Sequence, residues 1–306
     1  MNNSEPWRQR LQLGINHHLL YPASFESVEV HKQTIACVLN KSEYEVIDMF
    51  VPEDGDTLDY IAKRVRESGK AVVYNMPLMN GVGYNPHSPD TSVREHTLDE
   101  AKSHVRRARR LGARKIVVAS GIDPGVGKRD EQRGYFVEYL TALCSHAGPD
   151  LDILIEPFDR SIGKCLLIGP SEEAVEIVRR VHRNGTINLG LLVDMGHIPL
   201  MEETFRHALQ TASPYVRHIH LGSCVKRIPN DPLYGDMHPP WGYPGGEHDV
   251  PELVDFLQEL VFAGYLGEDS RPTVTFEMRP YLGLTEEESM SIFLAKFREA
   301  WGRIRL

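Results

Sequence analysis

The sequence lacks a long hydrophobic run. Its longest uninterrupted apolar stretch, residues 35–39, has five residues, whereas a transmembrane helix needs about 20. Residues 1–8 also lack the basic segment and following apolar segment that are typical of a secretory signal. We therefore expect a cytoplasmic protein with no membrane partner.

Cysteine is scarce, and no two cysteines form the C-x-x-C pair of a structural zinc site. The four positions are Cys37, Cys144, Cys165 and Cys224. Glycine-rich phosphate loops are absent as well: there is no Walker A pattern, and the first predicted strand is followed by His17-His18 instead of a G-x-G-x-x-G motif. These absences argue against a disulfide scaffold, a cysteine-ligated zinc site and a dinucleotide-binding fold.

Basic residues are outnumbered by acidic ones, 34 against 43, which leaves a formal net charge of -9. Affinity for nucleic acid is built mainly on contacts from lysine and arginine to phosphates. The charge balance therefore disfavours a nucleic-acid partner. With 41% hydrophobic residues, the composition is that of a globular protein.

Short apolar or β-branched segments alternate with longer segments of helical period. The eight predicted strands are residues 12–16, 44–50, 71–75, 115–119, 153–156, 189–194, 218–221 and 273–277. Connections of this length usually contain a crossover helix, so the strands run parallel. Eight such units close a (β/α)8 barrel, whereas a doubly wound open sheet is the alternative. We predict an α/β protein with a single TIM-barrel domain over residues 1–306.

Two capping boxes and two long loops complete this prediction. Thr97-x-x-Glu100 predicts a helix over residues 97–111, and Thr285-x-x-Glu288 predicts a helix over residues 285–301. Residues 78–94 and 222–249 are rich in Pro, Gly, Asn, His and Asp. Long irregular loops in a compact domain tend to be functional, so we expect both to lie over the C-terminal face of the barrel.

Four of the late strands end in a polar, metal-binding type of side chain. Catalytic groups of a TIM barrel gather at this C-terminal rim, and three carboxylates crowded there would repel one another without a cation. The predicted ligands are Glu156, Asp194, His220 and Glu277. One nitrogen and three oxygen ligands suit one divalent ion. We expect Mn²⁺, with Mg²⁺, Co²⁺ or Zn²⁺ as alternatives.

Two further histidines lie close to these ligands in the sequence. His218 shares a strand face with His220, but only one of the two need bind the ion, so His218 is interpreted as a packing or supporting residue. His197 follows Asp194 by about one helical turn. We expect His197 to belong to the site.

The strings Glu156-Pro-Phe, Asp194-Met-Gly-His197, His218-Ile-His220 and Phe276-Glu277 resemble the xylose-isomerase-like TIM barrels of the sugar phosphate isomerase/epimerase superfamily. In the ketose 3-epimerase branch, the matching residues bind one divalent metal. This resemblance implies that Glu156 and Glu277 also exchange the substrate proton, that Asp194 and His220 act only as ligands, and that His197 contacts substrate oxygens.

The chain departs from that branch in two places. Lys226 stands where the branch carries an arginine near the substrate, and we carry over a substrate contact to Lys226. Asp236-x-His238 is similar to the D-x-H of the trinuclear-zinc apurinic endonucleases, but Asn75 and Ala119 lie near where those enzymes have further histidines. We therefore expect no endonuclease activity, and we interpret His238 as a loop anchor or substrate contact.

Substrate recognition requires additional side chains around the ion. Trp241 in the second long loop is a candidate to stack on a sugar face, and Arg279 lies just beyond the last predicted ligand. We expect a small carbohydrate substrate, with a slight preference for a non-phosphorylated one. A homodimer would be ordinary for such a barrel.

The predicted ligands suit proton transfer next to a carbonyl group. Removal of that proton leaves an enediolate, which a divalent ion stabilises as a Lewis acid. The resemblance therefore implies a metal-dependent isomerase or epimerase that acts on a small ketose or related polyol. The same ligands can serve loss of water, as in inosose dehydratases, and a non-catalytic sugar-binding barrel is a third alternative.

Overall fold

Eight parallel strands close into a barrel in which each strand pairs with its neighbours in sequence order, and the last strand pairs with the first. The computed structural model describes residues 5–52, 54–268 and 270–306. The first four residues, part of the segment considered for a secretory signal, lie outside the described ranges. The topology confirms the predicted single-domain (β/α)8 TIM barrel.

The strands lie within two residues of their predicted positions. Their bounds are β1 (Gln12–Asn16), β2 (Val46–Met49), β3 (Ala71–Asn75), β4 (Lys115–Val118), β5 (Asp152–Ile155), β6 (Leu189–Asp194), β7 (Val216–Leu221) and β8 (Thr273–Phe276). Successive side chains of a strand point to opposite faces. Every second residue therefore points into the barrel.

Helices cover the outside of the barrel. Their bounds are α1 (His17–Leu20), α2 (Val28–Leu39), α3 (Gly55–Ser68), α4 (Thr91–Leu111), α5 (Arg129–Ala147), α6 (Ser171–Arg183), α7 (His197–Leu200), α8 (Phe205–Ala212), α9 (Val250–Phe262) and α10 (Glu286–Trp301). Within the described ranges, none of these helices combines the length and the apolar character that a membrane span requires.

One predicted helix start is wrong and the other is confirmed. Helix α4 begins at Thr91, six residues before the predicted start, because the Asp90 carboxylate accepts a hydrogen bond from the Ser92 amide at 2.8 Å. Thr97 lies inside the helix and donates its hydroxyl to the Val93 carbonyl at 2.7 Å. Loop 78–94 is accordingly shorter than predicted. The Thr285 capping box is present at the start of α10.

The barrel interior has an apolar side and a polar side. The apolar side is a cluster of fully or almost fully buried residues from β2 to β6: Val46, Val73, Val117, Leu154 and Leu192. On the polar side, Asp48 of β2 lies beside His218 of β7 and Thr275 of β8. The polar groups therefore sit directly beneath the rim where the predicted ligands end their strands.

Gly14 of β1 leaves the space that this polar side needs. A Cβ atom at this position would lie 2.5 Å from the Val46 carbonyl oxygen and 2.6 Å from Cγ2 of Thr275. Both distances are shorter than real carbon contacts, and the Val46 contact involves backbone. A larger residue at position 14 would consequently push β2 and β8 apart.

We predict that Gly14→Ala lowers the free energy of unfolding by about 1–3 kcal/mol, the usual range for overpacking a filled interior. Denaturant unfolding followed by circular dichroism measures the change. Gly55→Ala is the matched control, because a Cβ at the start of α3 meets nothing within 4 Å. Equal stability of the two variants would contradict the packing argument.

Candidate metal centre

The four predicted ligands converge at the C-terminal end of the barrel. Glu156 and Glu277 immediately follow β5 and β8, and their amides still donate to the neighbouring strands, to the carbonyls of Val118 at 2.9 Å and Leu221 at 3.2 Å. Asp194 ends β6. The alternation of the strands turns these side chains inward, together with His220 of β7. All four are buried.

Their ligand atoms have the spacing that one ion requires. One atom from each of the four side chains lies within 4.8 Å of the others. Nδ1 of His220 is 2.5 Å from Oε2 of Glu277 and 3.6 Å from Oε1 of Glu156. Atoms bound about 2.0–2.2 Å from a single ion lie about 3–4 Å apart, so the distance from His220 to Glu156 already fits, whereas His220 and Glu277 would have to separate slightly. The donor set therefore fits a divalent cation.

Three of these atoms are also buried without a well-formed hydrogen bond to any described residue: Oδ2 of Asp194, Nδ1 of His220 and Oε2 of Glu277. Buried polar atoms are normally paired, and a set of exceptions at one place calls for an explanation such as an ion. Because the same atoms face one another across the site, a cation would satisfy all three.

The pKa shifts of Asp194 and Glu277 also indicate a cation site. Burial and the neighbouring Glu277 carboxylate raise the pKa of Asp194 well above its usual value. Burial would also raise the pKa of Glu277, but the imidazoles of His220 and His238 hold it well below its usual value. The groups titrate as a unit, and binding of a cation would replace their protons.

Asp48 of β2 supports His220 from below, and the sequence analysis missed it. Its Oδ2 lies 3.3 Å from Nε2 of His220 and 2.9 Å from Nε2 of His218. Burial would raise the pKa of Asp48, but these two imidazoles lower it. The charged carboxylate therefore faces Nε2 of His220, and Nδ1 of the same ring faces the candidate ion site. The clue in the sequence is an acid inside the apolar strand β2.

Asn16, at the end of β1, is a second residue that the sequence analysis missed. Its Nδ2 donates to Oε1 of Glu277 at 2.8 Å. The bond fixes one oxygen of Glu277 and leaves Oε2 directed at the other ligands. His18, two residues later, lines the adjoining cavity, and burial lowers its pKa to about 4.

His197 lies next to the cluster and is linked to His238 through Asp236. Oδ1 of Asp236 is 3.0 Å from Nε2 of His197 and 2.8 Å from Nε2 of His238. Nδ1 of His197 donates to the Pro157 carbonyl at 3.1 Å. Burial alone would lower the pKa of His197, but Asp236 and Asp194 raise it well above its usual value. Both ring nitrogens face acceptors, which favours a cationic imidazole.

Glu156 and Glu277 of the ligand cluster line a cavity of about 360 Å³ at the mouth of the barrel. Apolar side chains that follow the first three strands contribute to its lining: Leu19, Phe25, Phe50 and Leu78. The lining also contains polar and charged side chains: His18, Lys164, His197, His238 and Arg279. Lys164 was not predicted from the sequence. Both long loops contribute cavity residues, Leu78 from the first and Asp236, Met237 and His238 from the second.

The structure places two of the predicted substrate contacts away from this cavity. Trp241 is fully buried in the core, where its ring packs edge-on against Phe276 at 5.5 Å. Lys226 turns outward, and its Nζ donates to the Pro199 carbonyl at 2.8 Å. Neither is among the described residues that line the cavity. Within loop 222–249, the Trp241 indole packs against Phe276 of β8 and Phe293 of α10 and not against the cavity.

Comparison with known proteins agrees with this geometry. A model described as xylose isomerase-like TIM barrel matches residues 27–279, most of the chain. The chain belongs to the xylose isomerase-like TIM barrel family. A segment of 63 residues is 32% identical to a D-psicose 3-epimerase of Ruminiclostridium cellulolyticum, and it spans 21% of this chain and only 20% of the length of that relative.

Solved structures of the xylose isomerase-like type superpose over almost the whole chain. An L-ribulose 3-epimerase has a TM-score of 0.69 and 15% identity, and the superposition covers 96% of each chain. An IolI protein with a bound zinc atom has a TM-score of 0.67 and 18% identity, with 96% of this chain and 99% of that chain covered. At these identities the likeness establishes the fold.

We predict that Asp48→Asn lowers the affinity of the protein for a divalent ion by about 10- to 100-fold, the usual effect of removing a residue that orients a ligating histidine. The measurement is calorimetric titration of Mn²⁺ or Zn²⁺ into chelator-stripped protein.

Asp152→Asn is the control for this experiment. It removes a carboxylate at the opposite end of the barrel, where Asp152 pairs with Arg217. Thermal melting of both variants reports folding separately from affinity. An unchanged dissociation constant in a folded Asp48→Asn protein would show that His220 needs no support from below.

Proposed function

We propose that this protein is a divalent-metal-dependent sugar epimerase or isomerase, which moves a proton next to the carbonyl group of a small ketose or related polyol. The observation that carries the proposal is the convergence of two glutamates, an aspartate and a histidine on one buried point beside a cavity. The D-psicose and L-ribulose 3-epimerases among the similar proteins support the same class of reaction.

The bound ion would polarise the substrate carbonyl group and stabilise the negative oxygen of the enediolate. Glu156, Asp194, His220 and Glu277 would hold it. Carboxylates suit Mg²⁺ and Mn²⁺, whereas imidazole also suits Zn²⁺. We propose Mn²⁺ as the resident ion because three of the four ligands are carboxylates.

Glu156 and Glu277 would act as the acid and base. They approach from β5 and β8, two strands that are not neighbours in the barrel, so each can reach the substrate from its own side. Asn16 fixes Glu277 through Oε1. Protonation of one carboxyl while its partner is ionised lets the pair remove a proton on one side and return it on the other. Return to the same carbon epimerises the sugar, and return to the adjacent carbon isomerises it.

His197 and His238 would bind the oxygens of the substrate. Burial would lower the pKa of His238, but Asp236 leads the groups that raise it to about 9. Both imidazoles border the cavity, and the raised pKa of each favours its cationic form. Charged hydrogen-bond donors at fixed positions stabilise negative charge that develops on an oxygen without having to reorient.

We predict that Glu156→Gln and Glu277→Gln each lower the rate of proton exchange by about 100-fold or more, the usual contribution of a general acid or base. Exchange of carbon-bound hydrogen is followed by NMR in deuterium oxide, with a panel of ketoses and Mn²⁺-loaded protein. Ion content is measured on each variant, because glutamine is also a weaker ligand.

Glu259→Gln is the matched control, since this half-buried glutamate of α9 pairs with Arg206 of α8 and does not line the cavity. Full exchange in the Glu156→Gln or Glu277→Gln protein would refute the assignment of that residue. Release of water with a new ultraviolet absorbance would assign a lyase instead. Saturable sugar binding without any exchange or water release would assign a non-catalytic barrel.

A further inference from the structure

The cavity lining includes one arginine that forms no ion pair with any described residue. Arg279 is half-buried and lines the cavity two residues beyond Glu277. No carboxylate of a described residue lies within ion-pair distance of its guanidinium group. A half-buried charge without a partner is unfavourable, because it loses hydration without gaining an attraction. The position suits a charge that a ligand will neutralise.

The backbone and one nitrogen of Arg279 are fixed. Its amide donates to the His238 carbonyl at 2.9 Å, and its Nε donates to the Met237 carbonyl at 2.9 Å. The preceding residue, Met278, is buried in the core. Among the described residues, no acceptor hydrogen-bonds to the two terminal nitrogens. The guanidinium group is therefore oriented by Nε and keeps its end free for a planar, two-oxygen partner.

The lysine and the two glutamates that line the cavity have partners of opposite charge, either a described residue or the proposed ion. Nζ of Lys164 lies 3.4 Å from Oδ2 of Asp236. Glu156 and Glu277 belong to the ligand cluster, where a divalent ion would offset them. Lys226 points outward and donates to the Pro199 carbonyl. In the sequence it stands where the ketose 3-epimerase branch carries an arginine near the substrate. Of the lysine and arginine side chains that line the cavity, Arg279 is thus the one without a carboxylate partner among the described residues.

We propose that the substrate carries a carboxylate, which the terminal nitrogens of Arg279 bind with two parallel hydrogen bonds. The natural ligand is then a keto sugar acid, with its carbonyl end at the metal centre and its carboxylate at Arg279. This identification of the substrate class rests on the proposed function, whereas the anion site rests on Arg279 alone.

The surroundings of Arg279 favour a carboxylate over a phosphate ester. An arginine fork matches the two oxygens and the single charge of a carboxylate. Phosphate sites usually add backbone amides from a glycine-rich turn or a helix N-terminus. The glycine-rich segment 121–127 contributes none of the described residues that line the cavity. One planar cation is therefore the recognition element.

The test compares three ligands that differ at one carbon: D-fructose, D-fructuronate and D-fructose 6-phosphate. Calorimetric titration into Mn²⁺-loaded protein gives the dissociation constants. We expect D-fructuronate to bind at least about 10-fold more tightly than D-fructose, because paired hydrogen bonds between a guanidinium group and a carboxylate are stronger than those to a neutral hydroxyl group. Arg279→Gln should abolish this difference, and Arg279→Lys, which keeps the charge without the fork, should retain part of it.

Arg227→Gln is the matched control, because Arg227 is an exposed cation of loop 222–249 that pairs with Glu247. It should leave all three dissociation constants unchanged. A preference for D-fructuronate that survives in Arg279→Gln would place the carboxylate on the metal ion and overturn the proposal. Equal binding of acid and neutral sugar, or no binding of either, would also overturn it, as would tighter binding of the phosphate ester.

Hydrogen exchange measured on the same samples separates the inference from the proposed function. Selective, Arg279-dependent binding of D-fructuronate without exchange would support the carboxylate site and refute the epimerase or isomerase. Rapid exchange of D-fructose at a rate that Arg279→Gln does not change, together with equal binding of acid and neutral sugar, would support the enzyme and refute the carboxylate site.

Discussion

Repulsion among three buried carboxylates is the constraint on which the site depends. Glu156, Asp194 and Glu277 lie close enough to share one ion, and water is excluded from most of their surface. Like charges at such distances in a poorly polar environment are strongly unfavourable unless protons or a cation offset them. The nearby imidazoles supply part of that compensation. The barrel therefore holds a charge distribution that a divalent ion completes.

The barrel architecture explains why this constraint can be met in a stable protein. Inward-facing positions on β2 to β6 are filled by an apolar cluster, which supplies hydrophobic stabilisation below the rim. On the side formed by β2, β7 and β8, Asp48 contacts both His218 and Thr275 through Oδ2. The polar contacts beneath the site are therefore made beside an apolar cluster that packs the rest of this layer.

The sequence predicts well both the strands and the convergence of Glu156, Asp194, His220 and Glu277, because both depend on local order along each strand. A polar residue at the C-terminal end of a barrel strand lies at the rim, and this position does not depend on which residues of other strands surround it. The predicted start of α4 is wrong because Asp90 and Thr97 are both good capping residues. Only the path of the preceding loop selects Asp90. Asp48 and Asn16 were missed because their partners come from strands that meet only when the barrel closes.

Loop 222–249 was the hardest part to predict, and its structure makes it a wall of the cavity instead of a closing lid. Trp241 anchors it in the core, and Tyr281 donates its hydroxyl to the Trp241 carbonyl at 2.7 Å. His238 has a positive φ of 52°, a conformation that non-glycine residues rarely adopt unless their surroundings impose it. In this conformation the imidazole contacts the Asp236 carboxylate, and the His238 carbonyl accepts a hydrogen bond from the Arg279 amide. The His238 imidazole is held by Asp236, and the Arg279 guanidinium group is held by the Met237 carbonyl. Both groups are therefore positioned before a substrate binds.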